Sequence, residues 1–193
     1  MGKNNKKKSA LRDWVESILI ALALALFIRT FIVQAFKIPT GSMRMTLVEG
    51  DRILVNKFIY GAKIPFTNLR LPALKKIERG DVIVFISPED TRRDFIKRVV
   101  GLPGEKVMIK NMRVYIDGKP LKDGVFQNRS YYNRGEFGAE GEVIIVPKDS
   151  YYVLGDNSAS SRDSRYWGFV PHKYILGRAF LIYWPVFRIR VIK

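Results

Sequence analysis

A long apolar run near the start is the strongest pattern in the chain. Residues 17–28 read SILIALALALFI without a charge, Arg29 interrupts the run, and residues 30–36 continue it as TFIVQAF. With its flanks the run is about 20 residues long, roughly 30 Å as an α-helix, which is enough to cross the hydrocarbon core of a bilayer. Because the run is apolar on every face, the pattern predicts a transmembrane helix at residues 14–36, preceded by a basic cytoplasmic tail at residues 1–13.

The lysines before this helix predict its orientation. Positively charged flanks stay on the cytoplasmic side, so residues 37–193 are expected outside the cell membrane. Two alternatives stay open. One is a cleaved secretory signal, since Val33-Gln34-Ala35 resembles a small-x-small cleavage site, although the bulky apolar stretch after Arg29 favours a helix that continues. The other is a helix buried in a soluble core, which a run apolar on every face does not favour.

Beyond residue 37 the pattern changes to short β-type runs separated by Gly, Pro and Asp. Asp117-Gly118 is typical of a hairpin turn, and the stretches at residues 60–74 and 124–141 are predicted to be loops. These features predict a mainly β, barrel or sandwich domain at residues 37–193 on a single N-terminal transmembrane helix. The predicted strands are Arg52–Ile59, Asp81–Ile86, Asp94–Val100, Lys106–Lys110, Arg113–Ile116, Glu142–Val146, Tyr151–Leu154 and Gly177–Tyr183.

Composition narrows the chemistry that the chain can perform. Its 193 residues include no cysteine and a single histidine, His172. A disulfide scaffold, a thiolate metal site and a clustered-histidine metal site are therefore excluded, and no metal or cofactor is expected. The usual Cys–His and Ser–His nucleophile pairs are almost excluded too. If the chain performs nucleophilic catalysis, a serine activated by a lysine is the leading option.

The net charge of +16 indicates an acidic partner. Residues 37–193 alone carry 28 Lys and Arg against 16 Asp and Glu, so the excess does not come only from the tail. A nucleic acid would satisfy this charge, but no motif typical of nucleic-acid binding is present. We therefore expect anionic membrane lipid and not nucleic acid as the partner. The expected apolar contacts with lipid are Ile64, Phe66, Leu69 and Leu71.

Two segments contain candidate catalytic residues. Ser42 lies in a tight, glycine-preceded turn shortly after the apolar run, and Lys97 lies in the predicted strand Asp94–Val100. Alternation along that strand places Lys97 on one face between Phe95 and Val99. A lysine acts as a base near neutral pH only if its pKa falls from ~10.4 to about 8 or below, and desolvation has this effect. The simpler alternatives are a surface lysine and a serine that caps a helical turn.

A third segment, residues 155–168, is rich in hydroxyl groups and charge and has a glycine at each end. A neutral amine needs hydrogen-bond partners that fix its lone pair, and such a segment could supply them. The same composition is equally typical of an ordinary polar surface loop.

Taken together, these segments resemble the bacterial type I signal peptidases, which are membrane-anchored Ser–Lys proteases. The similarity extends through almost the whole chain and follows the order of the family's motifs. The matching segments are IPTGSMRMTL at 38–47, GDRILVNKFIYG at 50–61, RGDVIVFISPEDTRRDFIKRVVGLPGE at 79–105 and GDNSASSRDSRYWGFVP at 155–171. Without the long insertions of larger relatives, the chain resembles the compact Gram-positive form.

The resemblance implies a role for particular residues. Ser42 would be the nucleophile and Lys97 the general base, with the Thr40 hydroxyl and the Ser42 backbone N–H as the oxyanion hole. Ser161 would orient the Lys97 amine. The remaining implied residues support the last segment or line shallow pockets for small side chains. Those of the last segment are Asp163 and Arg165 as an ion pair, with Gly155 and Asn157 shaping the turn, and those of the pockets are Phe36, Ile38, Met43, Leu47, Ile53, Val84 and Ile96.

The chain departs from the family pattern at two positions. Met45 stands where a proline is usual, which puts the rigidity of the turn after Ser42 in doubt. Ser158 stands where an arginine is usual, which puts a supporting contact in doubt. Neither departure removes a group with an implied catalytic role.

The resemblance implies a membrane-bound serine endopeptidase that removes signal peptides from exported preproteins after a small residue, usually alanine. Its catalytic domain would be extracytoplasmic, and it would need no cofactor. Two other functions remain open. One is a self-cleaving Ser–Lys protease of the repressor type, although the chain has no DNA-binding helical unit. The other is a catalytically silent, membrane-anchored binding protein.

Overall fold

The computed structural model describes residues 10–64, 67, 69–122 and 124–193. Most of the predicted basic tail, residues 1–9, lies outside the described residues, as does Phe66, one of the expected lipid contacts. The first element is helix α1, Ala10–Phe27, which continues into a π-helical turn at Ile28–Ile32.

The side chains of α1 have no protein core to pack against. Leu11–Ile32 is long and apolar enough to cross a membrane, with a mean hydropathy of 2.2, and none of its most apolar window is buried within the protein. Trp14 is 70% exposed and Leu19 is 59% exposed. The alternative of a helix buried in a soluble core is therefore wrong.

The helix ends earlier than the sequence predicts. The boundary expected at residue 36 moves to Ile32, because Val33–Lys37 forms strand β1. This strand pairs antiparallel with residues 52–56, and Phe36 lies opposite Ile53. The segment is apolar enough to extend the helix, but backbone pairing with a neighbouring strand decides its conformation. Val33-Gln34-Ala35, the sequence that resembles a cleavage site, is part of this paired strand.

The rest of the chain is mainly antiparallel β-structure, as predicted. After β1, the strands are β2 Arg52–Asn56, β3 Val82–Ile86, β4 Asp94–Gly101, β5 Lys106–Lys110, β6 Arg113–Ile116, β7 Lys119–Pro120, β8 Val143–Ile145, β9 Ser150–Leu154, β10 Val170–Pro171, β11 Ile175–Trp184 and β12 Arg190–Val191. Strands β1, β2, β11, β3, β4, β9 and β10 form one sheet in that order, with β12 on β11, and β7, β6, β5 and β8 form a second. A short helix, α2, spans Ser164–Trp167.

Each predicted strand corresponds to an observed one, and the differences lie at the ends. The largest is at Arg52–Ile59, where β2 stops at Asn56 and a 3-10 turn occupies Phe58–Tyr60. The Asn56 side chain accepts a hydrogen bond from the Ile59 N–H at 3.0 Å, and so stabilises the turn in place of further strand.

Apolar side chains of the two sheets form three buried clusters. One of them connects the chain after β1 with β2, β3 and β11, and contains Ile38, Met43 and Val84. Met43, the residue after Ser42, is completely buried in this cluster. Its packing therefore fixes the turn that contains Ser42 to the sheet. The fold thus brings together the turn after β1, strand β4 and the loop after β9.

Candidate active site

Ser42 lies in a single 3-10 turn, Gly41–Met43, and only 7% of the residue is exposed. The preceding Thr40 is extended, with φ −135° and ψ 156°, and its side chain does not cap the turn. The alternative role of Ser42 as an N-cap is not what the structure has, because the cap position belongs to Thr40.

Lys97 reaches Ser42 from strand β4. Its Nζ lies 2.7 Å from the Ser42 Oγ and donates a hydrogen bond of 3.0 Å to the Ile96 carbonyl. The Phe95 ring stands on another side, with its centroid 5.5 Å from Nζ. Since only 4% of Lys97 is exposed, the alternative of a surface lysine is wrong.

Burial lowers the pKa of Lys97 from 10.5 to about 8. Removal of the charged amine from water is the largest cause, and the nearby Arg165 acts in the same direction. The carboxylates of Asp163 and Asp156 oppose it, because a negative charge favours the protonated amine. A substantial fraction of Lys97 is therefore neutral at mildly alkaline pH, and a neutral amine can accept the proton of Ser42.

Ser42 and Lys97 line a cavity of about 560 Å³. Thr40 and Ser160 belong to the same wall. Ile96 and Phe95 supply an apolar part of the wall. At the mouth, Arg162 forms an ion pair with Glu89 on the β3–β4 turn, with atoms 2.5 Å apart.

Most of the expected pocket residues stand behind this wall. Ile96 lines the cavity, whereas Ile38, Met43 and Val84 are nearly or completely buried. All of the expected residues nevertheless belong to one packed cluster, which is formed by Ile38, Met43, Leu47, Ile53 and Val84 with Phe36 and Ile96 against it. Of this set only Ile96 faces the cavity, and the others pack together in the cluster to which it belongs.

The loop after β9 holds the turn of Ser42 through backbone contacts. The Asn157 side-chain amide donates to the Gly41 carbonyl at 2.9 Å, and the Asn157 backbone N–H donates to the Ser42 carbonyl at 3.0 Å. At Gly155, a Cβ would lie 2.1 Å from the Ser161 Oγ and 2.6 Å from the Ser42 carbonyl oxygen. Glycine is needed at position 155 because the two segments approach more closely than any side chain permits.

The structure does not show the expected contact between Ser161 and Lys97. Ser161 is buried beside Gly155, and among the described residues its hydroxyl has no hydrogen-bond partner. The hydroxyl is thus unused inside the site, where leaving a polar group unpaired costs free energy. An orienting role for Ser161 remains a prediction.

Asp163 and Arg165 form the expected ion pair, and both side chains are completely buried. The carboxylate accepts from Arg165 Nε at 2.7 Å and from Nη2 at 2.8 Å, and it also accepts from the Gly155 N–H at 2.9 Å. Ser158, which replaces the usual arginine, accepts from Arg165 Nη1 at 2.8 Å. A serine at this position is therefore compatible with the pair, because its hydroxyl satisfies one of the guanidinium donors.

The second departure from the family pattern changes the backbone. Met45 has φ 90°, which a proline cannot adopt because its ring holds φ near −65°. The turn is closed by hydrogen bonds from the N–H groups of Thr46 and Leu47 to the Met43 carbonyl, at 3.0 and 2.8 Å. In this chain the turn after Ser42 is thus fixed by hydrogen bonds rather than by a proline ring.

A buried charge cluster behind the dyad was not recognised from the sequence. Asp156 lies at its centre and contacts Arg98, Arg129 and Thr46. The position of Asp156 beside Asn157 and that of Arg98 beside Lys97 could have indicated it. No sequence signal indicated Arg129, which lies in a predicted loop. His172, by contrast, packs against Tyr151 in a different cavity from that of Ser42, and burial lowers its pKa.

Comparison with known proteins shows which family this chain is similar to. The family described as "Signal peptidase, peptidase S26" matches residues 11–184. The chain is 40% identical to signal peptidase I of Leptolyngbya laminosa, over 95% of this chain and 85% of that protein. It is 34% identical to signal peptidase I P of Bacillus subtilis subsp. natto, over 97% of both chains. A solved signal peptidase I from Enterococcus faecalis is 35% identical, with a TM-score of 0.44, and the match covers 54% of this chain and 97% of that one.

A mainly β domain behind one apolar helix, with a buried serine and lysine in contact, has the groups that a hydrolase with a serine nucleophile needs. The family match over most of the chain makes the assignment specific: the chain belongs to the signal peptidase family, peptidase S26, and it is a signal peptidase that acts on preproteins.

Proposed function

We propose that the chain is a membrane-anchored endopeptidase in which Ser42 and Lys97 form a catalytic dyad that cuts preproteins after a small residue. The observation that carries the proposal is the 2.7 Å contact between Lys97 Nζ and Ser42 Oγ inside a water-poor site. Ser42 attacks the carbonyl carbon before the scissile bond while Lys97 takes the hydroxyl proton. Lys97 then gives that proton to the leaving amine, and water resolves the acyl-enzyme.

The oxyanion of the tetrahedral intermediate needs donors on the side opposite the base. We assign this role to the Ser42 N–H and the Thr40 hydroxyl. Support comes from the exposure of Thr40 to the cavity and from its side chain making no cap to the turn. Two such donors act most strongly where water is excluded, because the local dielectric is low.

Removal of either dyad group tests the chemistry. Ser42→Ala and Lys97→Met should each lower preprotein cleavage by about 10³-fold or more, since residues that act as a unit lose nearly everything together. His172→Ala is the matched control and should keep most of the activity. Cleavage of a purified preprotein in detergent is the measurement, with circular dichroism to verify folding. Activity that survives Lys97→Met but is lost with His172→Ala would contradict the dyad.

The shape of the cavity predicts specificity for small residues. Ile96 lines the wall and the packed cluster behind it has no room for a large side chain, so we propose that alanine, glycine or serine precedes the cut. Ile96→Ala should raise cleavage after a valine, relative to cleavage after alanine, by about tenfold. The smaller side chain in the wall leaves more room in the cavity for the valine. Leu176→Ala, in the same cluster but not in the cavity wall, is the control. Efficient cleavage after phenylalanine or lysine by the unchanged enzyme would refute the pocket.

We propose that Leu11–Ile32 anchors the enzyme and that the lysine-rich start lies in the cytoplasm, with the β domain outside. Support comes from the length of this helix, from the lack of burial in its most apolar window and from the cluster of lysines before it. Protease added to spheroplasts should digest the chain from about residue 33 onward and spare the N-terminal end. Protection of the domain in intact spheroplasts, followed by its digestion after lysis, would contradict this orientation and place the β domain in the cytoplasm.

We propose that anionic lipid contacts a surface at the C-terminal end of β11. Trp184 is 50% exposed and Phe187 is 87% exposed, and Trp184 lies opposite Arg52, which in turn lies opposite Lys37. Aromatic and basic side chains together favour a negatively charged interface. In anionic vesicles Phe187→Ser should slow preprotein cleavage several-fold, while the control Val143→Ser, at an exposed apolar residue of β8, should not. Equal rates of the unchanged enzyme in anionic and neutral vesicles would contradict this contact.

A further inference from the structure

Arg129 is a buried arginine on a loop that none of the family's motifs includes. It follows the 3-10 turn Gly124–Phe126, and only 10% of its side chain is exposed. Its Nη1 lies 2.8 Å from Asp156 Oδ1, and its Nη2 donates to the Thr46 Oγ at 3.1 Å. Its Nε donates to the Val125 carbonyl at 2.5 Å, which fixes the direction of the guanidinium from its own loop.

Asp156 is the centre on which these contacts converge. Arg98 binds it through two hydrogen bonds, each 2.8 Å, and both side chains are completely buried. The Thr46 hydroxyl donates to Asp156 at 2.5 Å and accepts from Arg98 and Arg129 at 3.0 and 3.1 Å. A hydroxyl has one donor and two acceptor sites, so Thr46 is fully used.

The groups around Asp156 belong to the same chain segments as Ser42 and Lys97, or contact those segments directly. Arg98 directly follows Lys97 in β4, and Thr46 closes the turn that begins at Ser42. Asp156 precedes Asn157, which binds the carbonyls of Gly41 and Ser42. The serine turn, the lysine strand and the loop after β9 therefore meet at one carboxylate, and Arg129 contacts that carboxylate from the loop that follows the 3-10 turn Gly124–Phe126.

We propose that Arg129 is a positioning residue for catalysis: by clamping Asp156 and Thr46 from outside the family's motifs, it sets the spacing and the electrostatic environment of Ser42 and Lys97. The inference rests on the proposed function, since it assumes the Ser42–Lys97 dyad. Because Arg129 touches neither substrate nor the reacting atoms, its effect acts through Asp156 and Thr46.

The pKa of Lys97 distinguishes a positioning role of Arg129 from simple structural support. The charged groups that act on Lys97 are Asp163 and Asp156, which favour its protonated form, and Arg165, which disfavours it. Asp156 itself faces Arg98 and Arg129. Without Arg129, one positive charge fewer offsets Asp156, so the carboxylate favours protonated Lys97 more strongly. The pKa of Lys97 should then rise, and the acidic limb of the pH–rate profile should move to higher pH.

The test uses the full chain in detergent with a preprotein substrate between pH 6 and 10. Arg129→Met should lower kcat/KM at pH 7 by about tenfold, with the loss in kcat and little change in KM, and should move the acidic limb up by about half a pH unit. Arg129→Lys should return the limb to its original position, since it restores the charge, but recover kcat only in part because an ammonium lacks the planar fork. Arg113→Met, an exposed arginine of β6, removes the same charge and should match the unchanged enzyme.

The melting temperature of every variant is measured, and the activity assays are run well below the lowest of these temperatures. Loss of folded protein then cannot account for a change in rate. If Arg129→Met does not fold, Arg129→Gln takes its place and should show the same limb shift. An unshifted limb in the folded charge-removing variant, whether or not kcat falls, would overturn the proposal, because general destabilisation does not change the protonation of Lys97. A shifted limb that Arg113→Met reproduces would also overturn it.

The same assay distinguishes failure of this inference from failure of the proposed function. If Ser42→Ala and Lys97→Met remain active, the dyad itself is wrong, whatever Arg129 does. If both are inactive while the Arg129 variants behave like Arg113→Met, the dyad stands and only the positioning role of Arg129 fails.

Discussion

The exclusion of water from the Lys97 amine is the constraint on which the rest of the site depends. A pKa lowered from 10.5 to about 8 corresponds to about 3 kcal/mol of folding free energy lost at neutral pH. Because the folded pKa is depressed, the unfolded state binds more protons, so this cost is full below pH 8 and fades as the pH rises toward 10.5. In the proposed function the same desolvation produces a base beside Ser42, so activity is obtained at the expense of stability.

Buried ion pairs hold the segments that carry the dyad. Asp163 with Arg165 and Asp156 with Arg98 are completely buried, and each carboxylate also accepts a hydrogen bond from a neighbouring turn or loop. Such pairs add little net stability compared with apolar packing, but the loss of one partner leaves a buried charge uncompensated. Their more important consequence is geometric. They hold three separate segments at fixed distances, which catalysis by direct proton transfer requires.

Features carried by local pattern could be predicted from the sequence. The strands followed from β-type runs between turn residues. Ser42 and Lys97 became candidates through a glycine-preceded turn and an apolar strand, and the resemblance to the signal peptidases supplied their expected roles. Val33–Lys37 was missed because its apolar residues suit a helix as well as a strand, and pairing with β2 decides between them. Arg129 was missed because its importance comes from a contact with Asp156, which is distant in sequence. The unpartnered hydroxyl of Ser161 depends on side-chain geometry that no sequence pattern specifies.

Direct titration of the Lys97 amine tests the central claim, that burial lowers its pKa enough to leave a substantial fraction of this lysine neutral at mildly alkaline pH. Nuclear magnetic resonance of lysine-labelled protein in detergent would follow each amine from pH 6 to 12, with Lys97→Arg to assign the signal. One lysine signal, absent from Lys97→Arg, should have a midpoint near 8, well below the ~10.4 of a lysine free in water. A Lys97 midpoint at or above 10 would contradict the account, because a charged amine could not take the proton of Ser42.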